Sequence, residues 1–219
     1  MDNIIIIKLL MIINLFIQIS SNNNLFGLQF SNVTLRIKGT GTKNVFSSNV
    51  EEFPTENYPN IVYINGNKQD TVNYSYTFNQ SDNYVELIWN NSRDYCNDIF
   101  DGCSDVIEIE LRSFDISECK SMFCMFCDCS SLNTLNLSIF NTSQVTNMKS
   151  MFWNCSSLTS LNLSNFDTSL VTDMCGMFCY CSSLTSLNLS NFDTSQVTNM
   201  WNMFSGCTNL LYIDRKSVV

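Results

Sequence analysis

From Cys103 onward the apolar positions return every 26 residues: Met125, Met151, Met177 and Met203 share one column, and Phe126, Phe152, Phe178 and Phe204 stand beside them. An exact period of this length is the signature of a repeat array. Ile99, Phe100, Cys103 and Val106 fall in the same phase, so a degenerate unit precedes four full ones that run from Cys103 to Gly206. Within one unit, Leu161 and Leu163 alternate with Ser160, Asn162 and Ser164, which predicts a strand with its leucines inward and its polar residues outward. Asp167, Thr168 and Ser169 then supply a turn and an N-cap. Val171, Met174 and Met177 or Phe178 follow at helical spacing, which predicts a short helix or 3-10 turn.

Leu158, Leu161, Leu163 and Phe166 spell L-x-x-L-x-L-x-x-F, the pattern of leucine-rich repeats. One unit cannot bury both of its halves, whereas stacked units make continuous Leu, Phe and Met columns. The Met and Phe columns are therefore core, and the polarizable Met side chains fill gaps between units. The expected fold is an α/β repeat: a leucine-rich-repeat-type solenoid of short parallel strands and short helical or 3-10 convex segments.

Ahead of the repeats, Val33 to Ile37, Ile61 to Ile64, Val72 to Phe78 and Tyr84 to Trp89 alternate at a period of two, and Asn65-Gly66 reads as a hairpin turn. Residues 22–95 are expected to be a β-rich N-terminal cap, with Val85, Leu87 and Trp89 starting the first irregular rung; a separate ligand domain is the other reading. The repeat array occupies 96–213. Residues 1–21 form an apolar segment with Lys8 beside the run from Ile4 to Ile19, read as a signal peptide or an uncleaved anchor. Either sends the rest of the chain across a membrane, so the expected location is secreted or cell-surface. At the far end Arg215 lands in the column of Leu137, Leu163 and Leu189, where a charge would be buried. Asp214 to Val219 read as the translation of a common sequencing-adapter start and are excluded from the functional reading.

Composition narrows the chemistry. The net charge is −9 with eleven Lys and Arg residues and no cluster of them, which argues against nucleic acid and against anionic membrane surfaces. The chain has no histidine, which removes the usual general base, the Ser-His and Cys-His pairs and the commonest zinc ligand. No enzyme activity, cofactor or small-molecule substrate is expected. Glu108 and Glu110 share a strand face but read as a solvated edge. Of eleven cysteines, Cys103, Cys129, Cys155, Cys181 and Cys207 form one column, read as buried thiols because stacked strands hold neighbouring Cβ atoms parallel and beyond the usual disulfide separation. Cys96, Cys119, Cys124 and Cys175 have no assignable partner. Cys127-Asp-Cys129 and Cys179-Tyr-Cys181 lack third and fourth ligands at fixed spacing, so no metal is assigned. Asp115, Asn141, Asp167 and Asp193 could hold calcium between units, but Asx turns and capping explain them more cheaply.

The unit CSSLTSLNLSNFDTSQVTNMxxMF, nearly whole from Cys181 to Phe204, resembles the repeat of BspA-like leucine-rich-repeat surface proteins. That resemblance covers roughly residues 96–213 and implies an extracellular interaction or adhesion role with no catalytic residues. The candidate binding face is the outward lattice of Thr134, Asn136, Ser138, Ser160, Asn162, Ser164, Ser186, Asn188 and Ser190, on the side expected to be concave. Uncharged hydroxyls and amides suit an extracellular protein or glycan partner. They could equally bond to one another and only stabilise the stack. Alternatives are a structural coat protein that self-associates through its repeats, and a flat-lattice ice binder. The sequons at Asn32, Asn73, Asn79, Asn90, Asn136, Asn141, Asn154, Asn162 and Asn188 add the expectation of a glycoprotein if the source is eukaryotic.

Overall fold

The computed structural model describes residues 30–49, 51, 53–90 and 94–214. The signal or anchor segment and residues 215–219 lie outside the described residues.

The alternation expected before the repeats is present as strands, except that of the Val72 to Phe78 run only the second half is strand. β1 (Ser31–Lys38), β2 (Gly41–Asn44), β3 (Ile61–Ile64), β4 (Asn67–Lys68), β5 (Ser75–Phe78) and β6 (Asp82–Trp89) precede one 26-residue unit after another. In β1, Val33, Leu35 and Ile37 are fully buried, and in β6 Val85, Leu87 and Trp89 meet them from the neighbouring strand. Asn65 and Gly66 both take positive φ, 50° and 80°, between paired Ile64 and Asn67, which is the type I′ hairpin their sequence predicts.

The strands then depart from the expected order. β7 (Val106–Leu111), the strand of the degenerate unit, pairs antiparallel with β1. The resulting sheet runs β4-β3-β6-β1-β7-β8, where β8 is Thr134–Asn136. β6 pairs with β3 and β1 and so does not start a first rung, as Val85, Leu87 and Trp89 were expected to do. Parallel pairing occurs between β7 and β8 and again between β9 (Ser186–Asn188) and β10 (Tyr212–Asp214). The intervening Ser160–Asn162 segment forms no ladder strand, so the parallel sheet is broken in two.

The expected α/β solenoid is therefore incorrect. There is no α-helix among the described residues, and the sheets are antiparallel and mixed; the fold is almost entirely β-strand and turn. The reason lies in the backbone of each unit's second half. Cys124 and Asp128, Ser150 and Asn154, Gly176 and Tyr180, and Asn202 and Gly206 all have positive φ, two left-handed residues in every unit. Left-handed residues four apart cannot continue a right-handed helix. Their amides turn to the neighbouring unit instead. Met148, Ser150, Phe152 and Asn154 donate N–H to the carbonyls of Asp173, Cys175, Met177 and Cys179 at 2.8–2.9 Å. Met174, Gly176, Phe178 and Tyr180 repeat the pattern one unit later, onto Asn199, Trp201, Met203 and Ser205. Helix-forming hydrogen bonds are replaced by bonds between units.

Those bonds hold the columns in register. The rings of Phe100, Phe126, Phe152, Phe178 and Phe204 stack with centroids 5.6 Å apart, and Phe114, Phe140 and Phe166 form a second row at 6.4 Å. Offset aromatic pairs contribute about 0.5–1.5 kcal/mol each beyond their burial. The cysteine column is buried beside them. Cys129, Cys155 and Cys181 donate Sγ–H to the carbonyls of Phe100, Phe126 and Phe152 at 3.1 Å. Burial pushes these thiols up, Cys181 to about 12. A disulfide joins Cys96 to Cys119, a pairing that eleven cysteines did not single out. Lys43 on β2 pairs with Asp105 at 2.6 Å, and Ser47 N–H reaches the Ile99 carbonyl, so the β-rich region and the units share one core.

Candidate binding face

Each unit presents its outward polar triplet immediately after the turn that follows the buried Cys and Leu columns. Ile109, Leu161 and Leu187 point inward, while Thr134, Asn136, Ser138, Ser160, Asn162, Ser164, Ser186 and Asn188 are exposed and Ser190 is half-buried. All nine expected face residues are thus on the surface. The β7–β8 register sets Glu108 beside Thr134 and Glu110 beside Asn136; the β9–β10 register sets Tyr212 beside Ser186 and Asp214 beside Asn188. At its β7 edge the hydroxyl and amide lattice is flanked by the Glu108 and Glu110 carboxylates. Glu110 is paired to Arg112 at 3.0 Å with both side chains more than half exposed, a solvated ion pair as expected for that strand.

The hydrogen bonds of the lattice are local. Asn136, Asn162 and Asn188 accept on Oδ1 from the N–H of Ser138, Ser164 and Ser190 at 3.0, 3.1 and 2.9 Å. These Asx turns end each short strand and orient the amide. Thr134 donates its hydroxyl to Asn133 Oδ1. Among the described residues, no hydrogen bond engages the amide nitrogens of Asn136, Asn162 and Asn188 or the hydroxyls of Ser138, Ser160, Ser164, Ser186 and Ser190. The stack is not held together through these side chains.

Other polar columns do hold it, and sequence reading missed them. Thr146, Thr172 and Thr198 each donate to the backbone carbonyl of the unit before, at 3.1 Å. Asn165 and Asn191 each give Nδ2 to two carbonyls of the preceding unit at 2.7–3.0 Å. Thr142 and Thr168, both 1% exposed, bridge the N–H and C=O of Asp167 and Asp193. The signal available was their recurrence in S-N-F-D-T, where a buried hydroxyl column must find partners.

Asp115, Asn141, Asp167 and Asp193 accept from the N–H of Ser117, Ser143, Ser169 and Ser195 at 2.8–3.2 Å, the capping role set against calcium. Those backbone bonds hold the Asp167 and Asp193 carboxyls below their usual range.

Three overlapping stretches, residues 40–138, 72–162 and 132–213, match the family described as Mycoplasma protein of unknown function, DUF285. Together they run from 40 to 213, most of the chain. The chain belongs to that family. The DUF285 match begins inside the β-rich region, just before β2, and continues through the exact repeats; β1 lies outside it. The whole candidate face lies within DUF285. No curated protein and no solved structure matches the chain. Among the described residues no helix is long and apolar enough to cross a membrane.

Proposed function

We propose that the protein is an extracellular binding module of the BspA-like kind, which engages a protein or glycan partner through the polar face centred on Asn136, Asn162 and Asn188. The observation that carries this reading is the contrast between two polar columns. The hydroxyls of Thr146, Thr172 and Thr198 are spent on the backbone of the stack, whereas the amide nitrogens and serine hydroxyls of the candidate face are free to donate outward. Individually such bonds contribute about 0.5–1.5 kcal/mol, so affinity has to come from several units acting together. The Glu108 and Glu110 carboxylates at the β7 edge of the face favour a neutral or basic partner over an acidic one. The BspA-like repeat and the apolar leader segment support the extracellular part of the reading, and the absence of histidine supports binding over catalysis.

The test is a glycan and matrix-protein array probed with the protein and with a variant carrying Asn136→Lys, Asn162→Lys and Asn188→Lys. Thr172→Lys, on the spent column, controls for added charge. Binding lost in the triple variant but kept by the control, with circular dichroism unchanged in both, is the expected result. Equal binding by all three would remove function from this face.

A second reading, a coat protein that self-associates, is favoured by one feature. Ile139 and Leu170, within the array, are 45% and 47% exposed. Concentration-dependent oligomers with no array ligand would favour it.

A further inference from the structure

One pair of columns on the turn side changes character along the stack. The first runs Asp101, Cys127, Trp153, Cys179, Ser205 and the second Gly102, Asp128, Asn154, Tyr180, Gly206. In the later units this strip is packed with rings: Trp153 meets Tyr180 edge-on, with centroids 5.5 Å apart. In the first two units the same strip holds two carboxylates and a thiol. The ligating atoms of Asp101, Cys127 and Asp128 all lie within 4.8 Å of one another. Cys127 is 8% exposed, Asp101 half-buried and Asp128 exposed, so the group runs from a buried thiol to a carboxylate at the surface.

Among the described residues no lysine or arginine is paired with either carboxylate. Two carboxylates and a thiol gathered this closely can hold a cation, and the choice of donors says which kind. Magnesium and calcium take six or more oxygens, whereas a thiolate selects a softer ion. We propose that Asp101, Cys127 and Asp128 bind a single zinc-type divalent metal ion, with a water molecule in the fourth position.

The set spans two adjacent units, so the metal cross-links them. Sulfur at about 2.3 Å and oxygen at about 2.0–2.2 Å from a tetrahedral ion require the donors to draw in by about 1 Å. Rotation of the exposed Asp128 side chain supplies much of this. Asn154 Nδ2 already donates to Asp128 Oδ1 at 2.8 Å and orients the carboxylate, as outer partners do in metal sites. The Cys127 thiol gives its proton to solvent on binding, so affinity falls as pH is lowered. Cys129 is not a ligand, because its thiol is buried against the Phe100 carbonyl.

Titration of the folded protein with cobalt(II), after free thiols have been counted on a denatured sample, tests the assignment. The expected result is one equivalent bound, with the visible bands of a tetrahedral ion and a thiolate charge-transfer band, both removed by excess zinc. Cys127→Ser abolishes the charge-transfer band or cuts it sharply, and Asp101→Asn and Asp128→Asn each weaken binding more than about tenfold. Asp128 is exposed, so its variant keeps the fold whatever the others do. Cys179→Ser, two units along the same column and away from the carboxylates, leaves binding unchanged. No band with the wild-type protein, a band unaffected by Cys127→Ser and Asp128→Asn, or equal loss in Cys179→Ser would overturn the proposal.

Discussion

Left-handed residues set the shape of every unit, and the side chains that occupy those positions show what each costs. Gly102, Asp128, Asn154, Tyr180 and Gly206 make one such column, and glycine, aspartate and asparagine are the residues that tolerate positive φ best. That bias was in the sequence. It was masked by the Met and Phe columns, whose three- and four-residue spacings imitate a helix face. The parallel column of Asp98, Cys124, Ser150, Gly176 and Asn202 gave less to read, since cysteine and serine do not favour positive φ. Gly176 is constrained twice, by a φ of +62° and by the Trp153 ring, which a Cβ would meet at 2.9 Å. Gly176→Ala is therefore expected to destabilise by about 2–4 kcal/mol, from the left-handed penalty plus overpacking. Gly102→Asn, at a φ of +72° with open space around it, is expected to change stability by less than about 0.5 kcal/mol. Denaturant melts of the two variants check this; equal effects would mean that the ring contact is not felt.

At the scale of elements, local pattern was legible and long-range pairing was not. The spans of β1, β3 and β6 and the Asn65-Gly66 turn follow from two-residue alternation and turn chemistry. Which strand lies beside which is decided by contacts that no local pattern encodes. β1 inserts between β6 and β7, and this turns the strand expected to open the repeat array into part of an antiparallel sheet. The cysteine column was read from its period, and its in-register stacking explains why those thiols bury rather than pair. Cys96–Cys119 was not legible, because neither residue belongs to a cysteine column and their Cα atoms, 5.9 Å apart, come together only in the fold. This bridge closes a loop with a sequence separation of 23 just where the β-rich region meets the first units. Replacing both cysteines by serine is expected to cost about 3 kcal/mol by loop entropy, read as a lower midpoint in urea. An unchanged midpoint would place the junction's stability in the surrounding core of Phe100, Phe114 and Trp89.

Across the whole molecule, the apolar columns and the spent polar columns seal the stack, and one polar face is left with unused donors. The nine residues of that face were found from the repeat alone, because strand alternation puts every second residue outward whatever follows it. The curvature and helical backing expected of a leucine-rich-repeat solenoid were not needed for that placement, and the helical backing is absent. The reading makes a quantitative demand: a ligand that spans several units must lose affinity unit by unit. The decisive measurement is the dissociation constant of the best array ligand for the protein, for Asn136→Lys, Asn162→Lys and Asn188→Lys singly, and for the three combined. Losses of about two- to tenfold for each single variant, multiplying in the triple variant, are the expected result. A ligand that is insensitive to all three, or abolished by one and indifferent to the other two, would contradict a distributed binding face.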